Sequence, residues 1–316
     1  MRRVSIMRYA PTSPVFSPSQ TKDFLRDPGM WYFRNIERWR PRFIGKKEVA
    51  GILGGAIADG AAVFHNWLKE PGNPADEATA IKQAAAVAVT AANDGKARVL
   101  NLGQSVYDDQ AENWELLPKR AAEGVFKYCL NFPPAWRTRV IEAELSLPKQ
   151  GYCRPDLVIG TDFGPAVVDL KTKLTLDIRY QARTLLEFSE DWQFFHYAWA
   201  YHDYLWSLAP DDPPPPPLRQ FFVYLLVLEP KGRVPLAEPY SVNPEIMALW
   251  THSAKQVWRL MDAIKRGVPY VVDDPRPWST FNFYSKFGRE DWADAFTKYF
   301  LDPGLLTAAY VQEKKP

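Results

Sequence analysis

The chain has 316 residues and a mass of 36.2 kDa. Its composition, with 47% hydrophobic, 14% aromatic and 24% charged residues, is typical of a globular protein with a sizeable core and excludes a disordered chain. The net charge is only +2, so the charge balance alone does not indicate a nucleic-acid partner. The sequence has no apolar run long enough to cross a membrane, and its basic first residues lack the apolar stretch of a secretory signal.

Cysteine is scarce, and this excludes several classes of site. Cys129 and Cys153 are the two cysteines of the chain. They are too few for a disulfide framework, a four-thiolate zinc site or a four-thiolate iron–sulfur cluster. We therefore expect a protein of the reducing cytoplasm.

Helices are predicted to dominate the first part of the chain. Residues 1–18 hold three prolines and are expected to form an extended arm. Apolar spacing, cap residues and the positions of proline and glycine then predict a series of helices. These are Ser19–Arg26, Met30–Arg38, Gly54–Lys69, Pro74–Asn93 and Pro118–Cys129.

Strands are predicted from residue 139 onwards. Alternation of polar and apolar residues predicts a strand over Arg139–Leu147, with Glu142 and Glu144 on one face. Shorter strands, Asp156–Ile159 and Ala166–Lys173, are joined by a glycine-bounded hairpin loop. The later predicted elements are a helix over Ser189–Leu208, a stiff spacer of five prolines (213–217), a buried strand over Gln220–Leu228, and helices over Pro244–Lys265 and 290–300. A partner-binding role is the alternative interpretation of the prolines.

This order of elements predicts an α/β fold with a central mixed β-sheet flanked by helices. We expect an arm over residues 1–18 and a single domain over 19–316. Within that domain the sheet is expected at about 139–230, with helical additions at 19–130 and 244–316.

Two aspartates and a lysine carry the chemical signal. Side chains alternate along a strand, so Asp169 and Lys171 should point the same way and Leu170 the opposite way, into the core. Asp156 lies across the predicted hairpin and should reach the same place. Two carboxylates beside one ammonium are costly to assemble unless a cation lies between the acids, and oxygen ligands favour Mg²⁺ or Mn²⁺. This is the chemistry of phosphodiester hydrolysis.

Each of these features also has a structural explanation. An Asp-x-Lys triplet is commonly a surface ion pair on a strand, and a lone helix histidine such as His65 is commonly structural. Glu144 could be a solvated strand glutamate, and Glu142 shares its predicted face, so the functional glutamate stays open between the two. Gln193 and Tyr197 are four residues apart and share one helix face, which would also suit an aromatic core.

Taken together, the motifs resemble the PD-(D/E)XK nuclease superfamily, in particular its RecE-type and RecB-type exonuclease branches, which include many phage proteins. The resemblance covers roughly residues 17–205 and depends on the order of several short motifs. In chain order these are Ser17-Pro18-Ser19, Asp27-Pro28, Tyr32, His65 with Leu68-Lys69-Glu70-Pro71, Glu144-Leu145-Ser146, Arg154-Pro155-Asp156, Val168-Asp169-Leu170-Lys171-Thr172 and Gln193-x3-Tyr197.

The resemblance implies a restriction-endonuclease-like sheet and a Mg²⁺-dependent DNA exonuclease in which Mn²⁺ can substitute. His65, Asp156, Asp169 and the Leu170 carbonyl would be metal ligands, and Lys171 would be the catalytic lysine, with Glu144 as a second catalytic candidate. Gln193 and Tyr197 would support the site or the DNA strand. Some relatives carry an iron–sulfur cluster, but its cysteines are missing here, so none is expected.

DNA binding must come from local basic clusters, because the net charge is small. One candidate is the segment from Arg34 to Lys47, with Trp39 within it. The other candidates are Arg154 beside Asp156, and Lys173, Arg179 and Arg183 in a loop expected between Lys171 and Gln193. Contacts of this kind predict steeply salt-dependent binding without sequence preference.

The function predicted from the sequence is a DNA exonuclease of recombination or DNA processing. A structure-specific endonuclease of the same fold and a catalytically silent DNA-binding scaffold are the alternatives, and a metal-free protein-binding role for the aromatic surface is a fourth. A single-strand annealing or recombinase protein is a candidate partner. Digestion polarity, strand preference, oligomeric state and the role of the tail from Pro275 are left open by the sequence.

Overall fold

The structure is a computed structural model that describes residues 15–26, 31, 34–36, 38–70, 72, 76–150, 153–177, 192–213, 215, 218–231, 237–266 and 310–313. The helices of these residues are α1 (Pro18–Arg26), α2 (Lys46–Lys69), α3 (Glu77–Asn101), α4 (Ala111–Glu115), α5 (Leu117–Leu130), α6 (Trp192–Leu208) and α7 (Pro244–Lys265). The strands are β1 (Trp39–Pro41), β2 (Phe43–Ile44), β3 (Ser105–Val106), β4 (Val140–Ala143), β5 (Leu157–Thr161), β6 (Gly164–Asp177), β7 (Gln220–Lys231), β8 (Ala237–Ser241) and β9 (Tyr310–Gln312). Every helix among these residues is too short or too polar to cross a membrane.

The central sheet has five strands in the order β4-β5-β6-β7-β8. Strands β6 and β7 run parallel, and the other neighbours run antiparallel. The parallel pair requires a crossover between its strands, and helix α6 lies in that connection. The sheet is therefore mixed, as the sequence predicted. Two smaller pairs, β1 with β9 and β2 with β3, lie outside it.

The hairpin that joins β5 to β6 confirms the predicted turn. Asp162 and Phe163 form the turn between the pair Thr161↔Gly164. Gly164 has φ +105°, a backbone conformation that glycine adopts without a Cβ clash. The tight turn holds β5 and β6 in one register, and that register brings residues near positions 156 and 169 opposite each other.

Helices cover the central sheet on both faces, and alternation along the strands divides the core in two. One core joins Leu157 and Val168 to α2, α3 and α5. The other joins Val158 and Val167 to α6 and α7. Each strand thus sends alternate side chains to opposite helical layers, which is the pattern expected of a sheet buried on both faces.

Close packing of α2 depends on small residues. A Cβ added at Gly60 would lie 2.7 Å from the Ala84 carbonyl oxygen on α3 and 2.6 Å from Val125 on α5. Both distances are shorter than real contacts, so only glycine fits at this crossing. This packing holds α2, and with it His65, against the sheet.

Strand β4 departs from the prediction. It ends at Ala143, whereas alternation predicted a strand to Leu147. The register shifts between Val140 and Glu142, and Glu144 adopts φ +49°. These irregularities break the simple alternation, so Glu142 and Glu144 do not share one face in the way that the sequence predicted.

Several other boundaries differ, although the element types agree. Helix α2 begins at Lys46 instead of Gly54, α3 ends at Asn101 instead of Asn93, and β6 extends to Asp177. Helix α7 has the predicted bounds. The predicted arm up to residue 14, four of the nine residues of the predicted Met30–Arg38 helix, the segment 178–191 and the tail helix 290–300 lie outside the described residues.

Candidate active site

Strand β6 presents an acid and an amine side by side. Asp169 Oδ2 lies 2.7 Å from Lys171 Nζ, and the Asp169 side chain is only 2% exposed. Leu170, between them, packs against the opposite core with α2. The alternation that the sequence predicted for these three residues is therefore present in the structure.

Asp156 joins this pair across the hairpin. One step beyond the register pair Leu157↔Val168, it lies opposite Asp169. Its Oδ2 accepts a hydrogen bond of 2.6 Å from the Leu170 amide. Burial and, next to it, the charge of Asp169 raise the pKa of Asp156 to about 7, while the Leu170 amide, Lys171 and Arg154 oppose the shift. Two carboxylates thus share a buried site that favours a positive charge between them.

Helix α6 supplies an amide that connects the acid and the amine. Gln193 Nε2 donates to Asp169 Oδ1 at 2.9 Å and to the Tyr197 hydroxyl at 2.6 Å. Gln193 Oε1 accepts from Lys171 Nζ at 3.1 Å. One side chain therefore orients both Asp169 and Lys171, and Tyr197, one turn along the helix, orients that side chain.

Glu144 lies at the edge of the same site in an ion pair with Arg154. Its Oε2 is 2.6 Å from Arg154 Nε, and the same guanidinium reaches Asp59 Oδ1 on α2 at 3.5 Å. Burial raises the pKa of Glu144 to about 8, with Asp156 adding to the shift and Arg154 opposing it. Glu142, by contrast, pairs with Lys69 at 2.5 Å. Of the two glutamates, Glu144 is the one whose charge is coupled to Asp156.

His65 approaches the site from the opposite helical layer. Its ring is 1% exposed, and its Nε2 lies 2.7 Å from the Tyr128 hydroxyl. Its Nδ1 is buried without a hydrogen-bond partner. Burial lowers the pKa of His65 to about 3, and the backbone of Asp156 lies close enough to oppose this shift. The ring is therefore neutral at physiological pH, which is the form that binds metals.

The family profile of the PD-(D/E)XK nuclease superfamily matches residues 15–273. The chain belongs to the PD-(D/E)XK nuclease superfamily. No curated protein and no solved structure matched the chain. Membership confirms the resemblance drawn from the motifs, and the RecE- and RecB-type branch is consistent with it. A PD-(D/E)XK nuclease acts on DNA as its substrate and generally uses Mg²⁺ or a similar divalent metal.

The donor atoms of this PD-(D/E)XK site suit a hard divalent cation. Asp156 and Asp169 provide carboxylate oxygens in a buried, mutually repelling pair, and Asp169 Oδ2 accepts no hydrogen bond despite its ion pair with Lys171. In the described part of the chain, no three side chains of His, Cys, Asp and Glu come together as a metal-holding group. Among the described residues, the two aspartates therefore come together without His65 as a third side-chain ligand, and the His65 ring lies near the Asp156 backbone.

The basic residues predicted to bind DNA are dispersed. Arg154 lies at the site, and Lys173 continues strand β6. Arg34 and Arg40, in the other predicted cluster, lie near Asp23 and Glu313 respectively. Lys173 ends the predicted strand Ala166–Lys173, and because β6 continues to Asp177 it lies within the sheet instead of at the start of the expected loop. Arg179, Arg183 and the Trp39 side chain lie outside the described residues.

Sequence reasoning missed two residues that hold site residues in place. Asp59 binds Arg154, and Tyr128 binds His65. Neither belongs to a recognisable motif, since each contact joins elements far apart in the chain. Asp59 does lie on the same predicted helix as His65, which is the one signal that could have directed attention to it.

Proposed function

We propose that this chain is a Mg²⁺-dependent DNA exonuclease that hydrolyses phosphodiester bonds in recombination or DNA processing. The observation that carries the proposal is the convergence of Asp156, Asp169 and Lys171 on one face of the sheet, linked by Gln193. A silent scaffold would have no need to keep two buried, repelling carboxylates beside an amine. The choice of exonuclease over endonuclease rests on the motif order shared with the RecE- and RecB-type branches.

The proposed ligands are Asp156, Asp169, the Leu170 carbonyl and His65. A bound divalent ion supplies a water of lowered pKa and stabilises the charge that develops on the leaving oxygen. The hydrogen bond from the Leu170 amide keeps one oxygen of Asp156 in place, and Gln193 does the same for Asp169. The two carboxylates are thus oriented before any ligand arrives, which reduces the reorganisation needed in the reaction.

Lys171 is the proposed catalytic lysine. Its side chain is 23% exposed, so it borders the space in front of the acids, where a phosphate would lie. There it can orient the attacking water and offset the charge of the phosphate in the transition state. Glu144 is the second proposed catalytic group, because its raised pKa suits proton transfer near neutral pH.

The remaining proposed contacts hold the DNA backbone. Arg154 is 56% exposed even though it pairs with Glu144, so its guanidinium can also meet a phosphate oxygen. Lys173, Arg179 and Arg183 are the other proposed phosphate contacts. Since phosphates are alike in every sequence, we propose binding without base preference.

Digestion of linear and circular DNA tests this function. The chain is incubated with Mg²⁺ and either substrate, and the Lys171→Ala and Asp169→Ala variants are run beside it. Degradation of linear DNA alone, lost in both variants, is the expected result. Cutting of circles would instead indicate the endonuclease. Equal activity of the parent chain and both variants would overturn the proposal.

A further inference from the structure

The guanidinium of Arg154 lies between two carboxylates that come from separate elements. Its Nε is 2.6 Å from Glu144 Oε2, just after strand β4, and its Nη2 is 3.5 Å from Asp59 Oδ1 on helix α2. Burial, Asp156 and Asp59 raise the pKa of Glu144, and Arg154 opposes them, so the charges of Asp59 and Glu144 are close enough to repel each other. Glu144, Arg154 and Asp59 are here called the arginine bridge.

The backbone of Arg154 is held on both sides. Directly before it, Cys153 forms a β-bridge with Leu147, whose amide donates to the Cys153 carbonyl at 2.8 Å. Directly after it stands Pro155, and a residue before proline is restricted to extended backbone. The long side chain therefore keeps most of the remaining conformational freedom, which is costly to lose. The direction of the guanidinium depends on what its nitrogen atoms contact.

Both carboxylates of the arginine bridge come from firmly held backbone. Glu144 adopts φ +49°, and its amide donates to the Asp156 carbonyl at 3.0 Å. A positive φ is strained for a glutamate, so the surrounding structure must hold it. Asp59 directly precedes Gly60, where α2 packs too closely against α3 and α5 for any Cβ. Neither carboxylate can shift far with its backbone, so the two contacts hold the guanidinium in one place.

The guanidinium is the outermost part of the arginine bridge. The Arg154 side chain is 56% exposed, compared with 13% for Glu144 and 42% for Asp59. Nε and Nη2 make the contacts with the two carboxylates, and the Nη1 donors take part in neither. A guanidinium binds a phosphate best through two nitrogens in one plane. The contact with Asp59 is thus a second constraint on the plane of the guanidinium, which a single contact with Glu144 would not fix.

We propose that Asp59 is a positioning residue of the nuclease site, which holds Arg154 Nη2 so that the guanidinium is oriented to bind a DNA phosphate beside Asp156. The inference rests on the proposed nuclease function, in which Arg154 contacts the DNA backbone. Asp59 itself touches no reacting atom, and as an anion it would repel DNA if it acted alone. The sign of the change in DNA binding when Asp59 is replaced therefore distinguishes positioning from simple repulsion.

Steady-state digestion of linear DNA with Mg²⁺ tests the proposal. Asp59→Asn should raise KM about three- to tenfold and change kcat by less than about twofold, because a neutral amide attracts the guanidinium only weakly. A carboxylate that merely repels the DNA backbone predicts the reverse, a KM below that of the parent chain. Asp59→Glu restores a carboxylate on the same helix face, and its KM should return to within about twofold of the parent value.

A double-mutant cycle shows whether Asp59 acts through Arg154. Arg154→Gln should raise KM at least as much as Asp59→Asn, and the Asp59 substitution should add no further rise in the Arg154→Gln chain. A further rise by the same factor would overturn the proposal, because Asp59 would then act elsewhere. Asp162→Asn is the matched control, since Asp162 also pairs with an arginine, Arg139, at 3.2 Å, but at the turn of the β5–β6 hairpin. Its KM should equal that of the parent chain.

Thermal unfolding checks that the variants fold. The ion pair between Asp59 and Arg154 is partly exposed, so the Tm of Asp59→Asn should lie within about 2 °C of the parent value. Arg154→Lys gives a second test that leaves Asp59 in place, because lysine keeps the charge but loses the planar fork that Asp59 holds. It should also raise KM, and an unchanged KM in Arg154→Lys would overturn the proposal.

The outcomes separate this inference from the proposed function. If the parent chain digests DNA and Asp59→Asn has the parent KM or a lower one, the inference is overturned and the nuclease function stands. If the parent chain digests no DNA with either Mg²⁺ or Mn²⁺, the proposed function falls and the inference falls with it.

Discussion

The amine of Lys171 lies 2.7 Å from the carboxylate of Asp169, two positions earlier on the same strand. Asp169 is 2% exposed, whereas the Lys171 side chain is 23% exposed. The pair therefore places a buried carboxylate oxygen beside a partly exposed lysine side chain, and the first two predictions follow from this.

Replacing Lys171 should reduce turnover far more than DNA binding. We expect Lys171→Ala to lower kcat by about 10²- to 10³-fold, the effect of removing one group that stabilises transition-state charge. DNA affinity measured in EDTA should change little, because several other cations are proposed to contact the backbone. Single-turnover digestion and equilibrium binding check this. Lys119→Ala, an exposed lysine on α5, is the control and should match the parent chain in both. A loss confined to DNA affinity would contradict the catalytic role.

Replacing Asp169 should remove metal binding without unfolding the chain. Asp169→Asn keeps an oxygen that can accept from Gln193, so we expect the local hydrogen bonds to survive. Calorimetric titration with Mn²⁺ should show binding to the parent chain and none to the variant. The exposed Asp162→Asn serves as the control and should bind Mn²⁺ normally. Unchanged Mn²⁺ affinity in Asp169→Asn would show that the ligand assignment is wrong.

The two buried acids predict an unusual pH dependence of stability. Burial raises the pKa of Asp156 to about 7 and that of Glu144 to about 8. Between pH 4 and these values the unfolded chain releases protons that the folded chain retains, so the contribution of these two acids to the free energy of unfolding falls as pH rises. Buried His65 and His196, whose pKa values burial lowers to about 3 and about 4, contribute a rise with pH up to about 6.5. The acids are therefore isolated by comparing the parent chain with Asp156→Asn, which lacks one of the two falls. Chemical denaturation of both chains from pH 4 to 8 measures the difference, and a difference that does not change with pH would contradict the prediction.

Replacing each glutamate in turn by glutamine distinguishes the role of Glu144 from that of Glu142. Glu144→Gln should lower kcat by at least tenfold, because its charge is coupled to Asp156. Glu142→Gln should retain activity and lose only the Lys69 ion pair, which is worth about 0.2–1 kcal/mol. Steady-state digestion and thermal unfolding of both variants check this. A larger loss of activity in Glu142→Gln would reverse the assignment.

Tyr128 should influence metal affinity through His65. Tyr128→Phe leaves His65 Nε2 without its hydroxyl partner, and we expect metal affinity to fall about 10- to 100-fold, as when other partners of a metal-binding histidine are removed. Tyr224→Phe, which loses a hydroxyl bond to the Asn131 carbonyl, is a matched control that should bind Mn²⁺ normally. Equal Mn²⁺ affinity in Tyr128→Phe and the parent chain would show that His65 is not a ligand.

Residue spacing along the chain was sufficient to predict the helices and strands whose polar and apolar residues alternate regularly. The bounds of α7, the hairpin between β5 and β6, and the shared direction of Asp169 and Lys171 all follow from spacing along the chain. They could be predicted because helix and strand periods are properties of the backbone. Strand β4 could not be predicted in full, since the positive φ of Glu144 has no local signal in a glutamate.

The candidate site itself was only partly visible in the sequence. Asp156 and Asp169 could be paired because a short hairpin joins their strands. The bridge from Arg154 to Asp59 and the bond from His65 to Tyr128 could not, because each joins residues separated by more than sixty positions. Such contacts depend on how α2 and α5 pack against the sheet.

The sequence by itself determined the family, the mixed α/β fold and the strand that carries Asp169 and Lys171, because ordered motifs and backbone periodicity are encoded locally. Only the tertiary structure decided which glutamate is coupled to Asp156, what holds His65 and Arg154, and that Arg40 pairs with Glu313. These are contacts between elements from distant parts of the chain. They form only when the helical layers close on the sheet, and burial at that step also sets the pKa values of the acids.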